Sequence, residues 1–265
     1  MSQRVLIRID QQVAHVSLNR PDKHNALDLD MFEAIAEAQR EVAKNRDLRV
    51  VILSGEGMDF CTGLDVKSLM SNRGGMRKLL WKWLPWRANL AQQVSVGWRE
   101  LNIPVIAAIQ GRCWGGGLQI ALGADFRIAQ LQSSLSIMEG KWGLIPDMGG
   151  TLALRESMAR DQAMKLAMTA VEITGEEALN LGLVTELDSS PLKRSKALAE
   201  LLVEKSPDAI AAVKKFYGRS WSRSNGSILA RETLYQFKVI TGANQRIAVK
   251  RQMGEDLPYK HARKF

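Results

Sequence analysis

The sequence predicts an α/β protein, and three observations carry that expectation. Residues 3–9 and 13–18 alternate like a hairpin, with Val5, Ile7 and Ile9 on one face and Val13, Val16 and Leu18 continuing beyond a turn at Asp10-Gln11-Gln12. Two unbroken apolar runs, Leu48–Leu53 and Val105–Ile109, have the length and β-branched content of strands buried on both faces. Helical periodicity fills the intervals, and strand, helix, strand in repetition is the α/β pattern.

The remaining elements follow in order. Asp28 is a good N-cap for a helix whose buried side carries Phe32, Ile35 and Val42. The segment from Ser71 to Glu100 is unusual. It holds Trp81, Trp83, Trp86 and Trp98, with Arg73, Arg77, Lys78, Lys82, Arg87 and Arg99 against a single acid, Glu100. A lid whose tryptophans line an apolar slot and ordinary packing against a neighbouring subunit both rank above a basic, Trp-rich membrane-surface element. From Leu152 the chain is helical, with one apolar helix over 158–170. Thr174 is an N-cap, 182–187 a last strand, and 191–206 and 207–217 two further helices. The tail carries Arg246, Lys250, Arg251, Lys260, Arg263 and Lys264.

Composition narrows the function classes. The 265 residues are 46% hydrophobic, ample for one large domain or two. No run is long and apolar enough for a membrane span, and Met1-Ser2-Gln3-Arg4 leads straight into strand-like alternation, so a cytoplasmic location is expected. Two cysteines, Cys61 and Cys113, make no disulfide framework, and three histidines without ligand spacing make a metal centre unexpected. The net charge of +9 suits an anionic partner, a phosphorylated ligand among them, and equally a merely solvated basic surface. No nucleic-acid motif singles out RNA or DNA.

The chemistry concentrates between Pro104 and Thr151. After the strand come Gly115, Gly116 and Gly117 and a short apolar helix, 118–122. Consecutive glycines let a ligand approach the main chain, and a helix starting there directs free N–H groups outward. That arrangement suits a developing negative charge on oxygen. Two acids, Glu139 and Asp147, flank a Gly-Leu-Ile-Pro turn downstream. From spacing alone, this is equally a proton-transfer site or a buried turn with two solvated acids.

Read together, NRPDKHNAL, LRVVILSG, FCTGLDVKSL, GRCWGGGLQIALGADFRIA and GLIPDMGGT resemble, in order, the enoyl-CoA hydratase/isomerase family, the crotonases. The resemblance covers about 3–190. It implies a crotonase-like spiral of ββα units over 1–190 and a C-terminal helical trimerisation region over 191–265, giving a homotrimer or a hexamer made of two trimers. It implies an acyl-CoA thioester substrate, with CoA as part of the substrate and no separate cofactor. The backbone N–H groups of Leu64 and Gly116 would bind a thioester enolate oxygen. Lys23, Ala26, Asp65 and Lys67 match CoA-binding positions, and the basic tail would lie near a neighbour's CoA.

The departures discriminate among branches. Hydratases carry a glutamate where this chain has Gln119, and an amide is no general base at neutral pH. Gln119 is therefore expected only to position substrate or water. The second glutamate is retained as Glu139. Dienoyl-CoA isomerases carry a glutamate and an aspartate at the spacing of Glu139 and Asp147, although they also hold an acid at the Gln119 position. Dehalogenases use an aspartate at the Asp147 position, but their accompanying aromatic falls where Glu139 stands. Asp147 could also serve the turn, or the helix opened by Gly149-Gly150-Thr151. The expectation is an isomerase with Glu139 and Asp147 as acid–base pair, with Trp142, Leu144, Ile145 and Met148 as its apolar surround. A hydratase or another lyase is the alternative, and a non-catalytic CoA- or RNA-binding homologue the rival of another class.

Overall fold

The computed structural model describes residues 3–70, 73–263 and 265. Met1 and Ser2, the Ser71-Asn72 start of the tryptophan-rich segment and Lys264 of the basic tail lie outside the described residues.

The hairpin of β1 (Val5–Asp10) and β2 (Val13–Leu18) turns through Gln11 at φ 52°. β1 is the edge of the sheet, so its outer end runs past the core: Val5 is buried, Ile7 partly so, and Ile9 exposed. On β2 the inward positions are Ala14, Val16 and Leu18, which turns Val13 to the other face. α1 (Leu29–Lys44) begins at Asp28, whose Oδ1 accepts from Met31 N at 2.9 Å, and it buries Phe32, Ile35 and Val42 as expected.

β3 (Val50–Gly55) is buried throughout. α2 (Val66–Met70), α3 (Arg73–Leu80) and α4 (Leu90–Glu100) precede β4 (Val105–Ile109), which matches the expected strand. Side chains of β3 and β4 alternate strictly between two cores. Val51, Leu53, Val105, Ala107 and Ile109 face the larger one, while Val50, Ile52, Ile106 and Ala108 face a smaller one. Both faces of a parallel sheet are thereby covered, which is why these strands read as unbroken apolar runs.

After β4 the chain repeats one move. A strand of the main sheet turns at once into a short strand of a second sheet. β5 (Arg112–Trp114) leads to α5 (Gly116–Ala121), and β6 (Phe126–Ala129) to β7 (Ser134–Ser136) and a 3₁₀ turn at Met138–Trp142. α6 (Thr151–Ser157), α7 (Arg160–Thr169), β8 (Ile173–Thr174), α8 (Gly175–Asn180) and β9 (Glu186–Leu187) complete the spiral. The main sheet is ordered β1-β2-β3-β4-β6-β9 and the second β5-β7-β8.

Two expectations are corrected here. The helix expected over 158–170 begins at Arg160, because Met158 takes extended backbone and separates α6 from α7. The strand expected over 182–187 shrinks to Glu186–Leu187. Gly182 lies at φ 80°, and the amides of Leu183 and Val184 both donate to Ala178 O, closing a turn.

α9 (Pro191–Val203) lies on the outer face of the sheet, with Ala199 in the smaller core. α10 (Pro207–Ser220), α11 (Asn225–Ile240) and α12 (Ala243–Gln252) follow. The buried Lys214 of α10 is held by Asp125 Oδ2 at 2.7 Å and the carbonyls of Ile103 at 2.8 Å and Trp98 at 3.0 Å. Parts of the basic tail also serve the fold. Arg251 pairs with Glu204 at 2.6 Å, and Arg263 donates to Lys238 O at 2.7 Å.

Candidate active site

Four stretches converge on one pocket, beginning with residues 20–27. His24 and Asn25 both hold left-handed backbone, at φ 52° and 56°. Asn25 is fully buried, and its Nδ2 donates to Glu56 O and Asp59 O at 2.9 Å and to Phe60 O at 3.2 Å. Arg20 ties the loop down further through Ala26 O at 3.0 Å and Asp65 at 2.9 Å. The residue pattern shows a polar loop here but not that Arg20 and Asn25 fasten it. The signal was present: a Pro-initiated turn containing an Asn, a residue that tolerates left-handed backbone.

The second stretch runs to Leu64. Gly63 sits at φ 87°, and a Cβ there would lie 3.3 Å from Gly116 N. Leu64 bridges to Leu27 through its neighbours, Leu27 N to Gly63 O at 2.8 Å and Asp65 N to Leu27 O at 3.0 Å, which leaves its own N–H directed elsewhere. The third stretch opens α5, and Gly116 N–H, at the first helical position, has no acceptor within its helix. Neither amide has a hydrogen-bond acceptor among the described residues, and Leu64 and Gly116 line the same cavity of about 540 Å³.

Glu139, from the 3₁₀ turn, lines that cavity too and is only 6% exposed. A methyl group on Gly115 would stand 3.5 Å from its Oε1. That oxygen accepts from Gln119 Nε2 at 2.6 Å, and Oε2 is buried without a hydrogen-bond partner among the described residues. Burial pushes the carboxyl above the usual glutamate range. The Gln119 hydrogen bond opposes that rise, and the charge of Asp147 adds to it.

Gln119 is 2% exposed and does not line the cavity. Its Oε1 accepts from Met148 N at 2.9 Å and Gly150 N at 3.2 Å, and Ser95 Oγ donates to its carbonyl at 2.6 Å. Two amide donors at the oxygen fix which end of the side chain faces Glu139. Gln119 thus joins the acid to the turn that carries Asp147.

Asp147 itself is exposed and stands outside the cavity lining. Its carboxyl is nonetheless held above the usual aspartate range by partial burial. Of the expected apolar surround, Trp142 and Leu144 line the cavity. Met148 is buried with its sulfur 2.9 Å from where a Gly116 Cβ would be, and Ile145 is exposed.

The expected CoA-binding positions lie at the edge. Lys23 and Lys67 are exposed and have no ion-pair partner among the described residues, while Ala26 is half-buried. Asp65 is committed to Arg20 and to Ser68 N at 3.1 Å. Burial alone would raise its pKa, but those donors hold it below the usual range. His24 lines the cavity from the 23–26 loop that matches CoA-binding positions, and two further lining groups, Arg112 and Lys141, were not anticipated. Asp59 binds Arg112 through Nε at 2.9 Å and Nη2 at 2.7 Å, and His24 Nδ1 at 2.9 Å. The Arg112 guanidinium also lies 5.3 Å from the Trp114 ring. His24 and Arg112 belong to two of the matching motifs, but they and Asp59 are far apart in sequence and no spacing brings the three together.

Cysteine chemistry is disfavoured, since Cys61 is fully buried and its thiol is pushed up to about 12 by burial. No cluster of His, Cys, Asp or Glu suited to a metal occurs among the described residues.

The tryptophan-rich segment divides. Trp98 is fully buried on α4, whereas Trp81, Trp83 and Trp86 are exposed, and none of the four lines the cavity. The expected slot of tryptophans over the site is not formed.

Comparison with known proteins agrees with this geometry. The family model for enoyl-CoA hydratase/isomerase matches residues 8–251. Over 219 residues the chain is 34% identical to a peroxisomal Δ(3,5)-Δ(2,4)-dienoyl-CoA isomerase of Arabidopsis thaliana, covering 80% of this chain and 79% of the relative. It is 32% identical over 214 residues to an (E)-benzylidenesuccinyl-CoA hydratase of Thauera aromatica, covering 80% of each. The crystal structure of an enoyl-CoA hydratase from Bacillus anthracis superposes with a TM-score of 0.87 at 26% identity, over 97% of this chain and 99% of that one. Two backbone amides without an acceptor among the described residues, lining one cavity with a buried glutamate on a spiral of this topology, and a family match over nearly the whole length lead to one conclusion: the chain belongs to the enoyl-CoA hydratase/isomerase family.

Proposed function

We propose that this family member is an enoyl- or dienoyl-CoA double-bond isomerase working through a thioester enolate. The thioester oxygen accepts from Leu64 N–H and Gly116 N–H, which are held by two packed turns and need not reorganise as charge develops. Glu139 removes a proton from the acyl chain and a carboxyl returns one at another carbon. Asp147, on the exposed turn that Gln119 joins to Glu139, is assigned as the second proton carrier. The burial of Glu139 keeps water from its carboxyl and sustains its raised pKa. Lys23 and Lys67 meet the CoA phosphates at the edge.

The observation that carries this reading is the Gln119–Glu139 hydrogen bond. Hydration by a pair of carboxyls needs a second acid or base beside Glu139. An amide with its oxygen occupied by two backbone donors supplies neither. Moving a proton along a conjugated chain needs no activated water.

The test is a panel of 2-enoyl-, 3-enoyl- and 3,5-dienoyl-CoA thioesters followed by absorbance. Isomerisation exceeding hydration supports the reading. Hydration as the dominant activity overturns it in favour of a hydratase. Binding without turnover of any thioester overturns it in favour of a non-catalytic homologue.

A further inference from the structure

Between α3 and α4 the chain forms a loop with a buried base and an exposed tip. At the base, Leu79 is 3% exposed and Asn89 8%. Asn89 caps α4 by accepting from Gln92 N at 2.8 Å, Gln92 Oε1 accepts in return from Asn89 N at 3.3 Å, and Asn89 Nδ2 reaches back to Leu80 O at 3.5 Å. Trp81 N to Arg77 O and Arg87 N to Leu84 O, both 3.0 Å, close turns on either side of the tip. There Trp81, Trp83 and Trp86 are 62%, 87% and 79% exposed. Arg77, Lys78, Lys82 and Arg87 stand among them, and the sequence has no Asp or Glu from Val66 to Arg99.

We infer that this loop docks the protein onto an anionic phospholipid surface. Clustered exposed aromatics mark an interaction site. The composition selects the partner. Protein–protein interfaces enrich Trp and Arg but deplete Lys, whereas the bilayer interface collects all three, with indole rings at headgroup depth and cationic side chains toward anionic headgroups, and the loop carries Lys78 and Lys82 with no acid. Each basic residue near such a surface strengthens binding about fivefold. Lys78 is engaged by Glu33, and Lys82 donates to Pro85 O at 3.4 Å while keeping its charge, so Arg77, Lys82 and Arg87 remain beside the tryptophans for that task. The hydrogen-bonded base holds the backbone on either side of the tip, so little backbone freedom is lost on docking. The exposed apolar face of α11 differs: Glu232 stands among its apolar residues and no tryptophan does. The inference needs only the loop and is independent of the isomerase reading.

The test is co-sedimentation of the full-length protein with phosphatidylcholine vesicles, with and without phosphatidylglycerol, together with tryptophan emission. Binding to the anionic vesicles alone, with a blue shift and reversal by salt, is expected. The W81A/W83A/W86A variant is expected to lose about tenfold or more in partitioning, and K82E/R87E to become less responsive to phosphatidylglycerol. Without vesicles, the tryptophan variant should keep its turnover, its KM and its sedimentation coefficient. Failure to bind anionic vesicles, or undiminished binding by the triple variant, overturns the inference. A changed KM without vesicles would make the loop an acyl-chain lid, and a lost oligomer would make it a subunit contact; either result also overturns it.

Discussion

The Glu139 pocket and the C-terminal helical region are built on opposite principles. In the pocket wall, almost every polar atom has an assigned partner. Asn25 uses its amide on three carbonyls, Gln119 bonds in three directions, and Asp59 holds both Arg112 and His24. Among the described residues, the backbone N–H groups of Leu64 and Gly116 and the Oε2 of Glu139 have no hydrogen-bond partner. In α10 to α12, by contrast, large apolar side chains stand in solvent: Tyr217, Trp221, Leu229, Leu234, Phe237 and Ile240 are each more than half exposed. A pocket wall fastened by polar contacts thus stands beside a region that leaves large apolar side chains uncovered.

The contrast is tested most strongly at Glu139. Glu139→Gln keeps the acceptor for Gln119 and removes the base. Turnover is expected to fall about a hundredfold or more with KM held. The same variant should be more stable near neutral pH. The folded-state pKa of Glu139 lies above its unfolded value, so its contribution to stability is greatest at low pH and is lost as pH rises through the raised pKa. Thermal melts of both proteins across pH should converge in acid; full activity in the variant would remove Glu139 from the mechanism.

The helical region is expected to self-associate, through apolar faces that a charge would spoil. L234D/F237D should sediment as a monomer at micromolar concentration with its circular dichroism retained, while the parent sediments as an oligomer. A monomeric parent would refute this and leave the exposed apolar face without a partner.

Gln119 is the third target. Its donor lowers the pKa of Glu139, so Gln119→Leu should move the acid limb of the kcat/KM profile to higher pH, since the base form then appears later. Gln119→Glu restores a second carboxyl next to Glu139 and should bring measurable hydration of a 2-enoyl-CoA. An unmoved pH profile in the leucine variant would show that the amide does not tune the acid.

The smallest effect is expected at the rim. Lys23→Ala and Lys67→Ala should each raise KM a few-fold at low salt and less at high salt, because exposed charges are screened. Unchanged KM in both would relocate the phosphates, with Arg112 and Lys141 as the next candidates.

Some of this molecule is determined locally. Val105–Ile109 is a strand because five apolar residues after a proline satisfy both faces of a parallel sheet. Asp28 and Thr174 cap helices because a short side-chain oxygen reaches an amide in the first turn, and Thr174 forms a capping box with Glu177. The glycine run and the spacing of Glu139 to Asp147 likewise stood out as residue pattern. The tertiary structure decided what those residues face. It buried Glu139 and left Asp147 at the surface, although both had looked equivalent as acids. It turned Gln119 away from the cavity and into a brace, and drew Arg112, Asp59 and His24 together from three separate turns. It sent Trp98 inward and its three neighbours outward. Strand and cap depend on neighbours within a few positions of the chain, whereas the burial and pKa of a side chain depend on groups that only the packed spiral brings beside it.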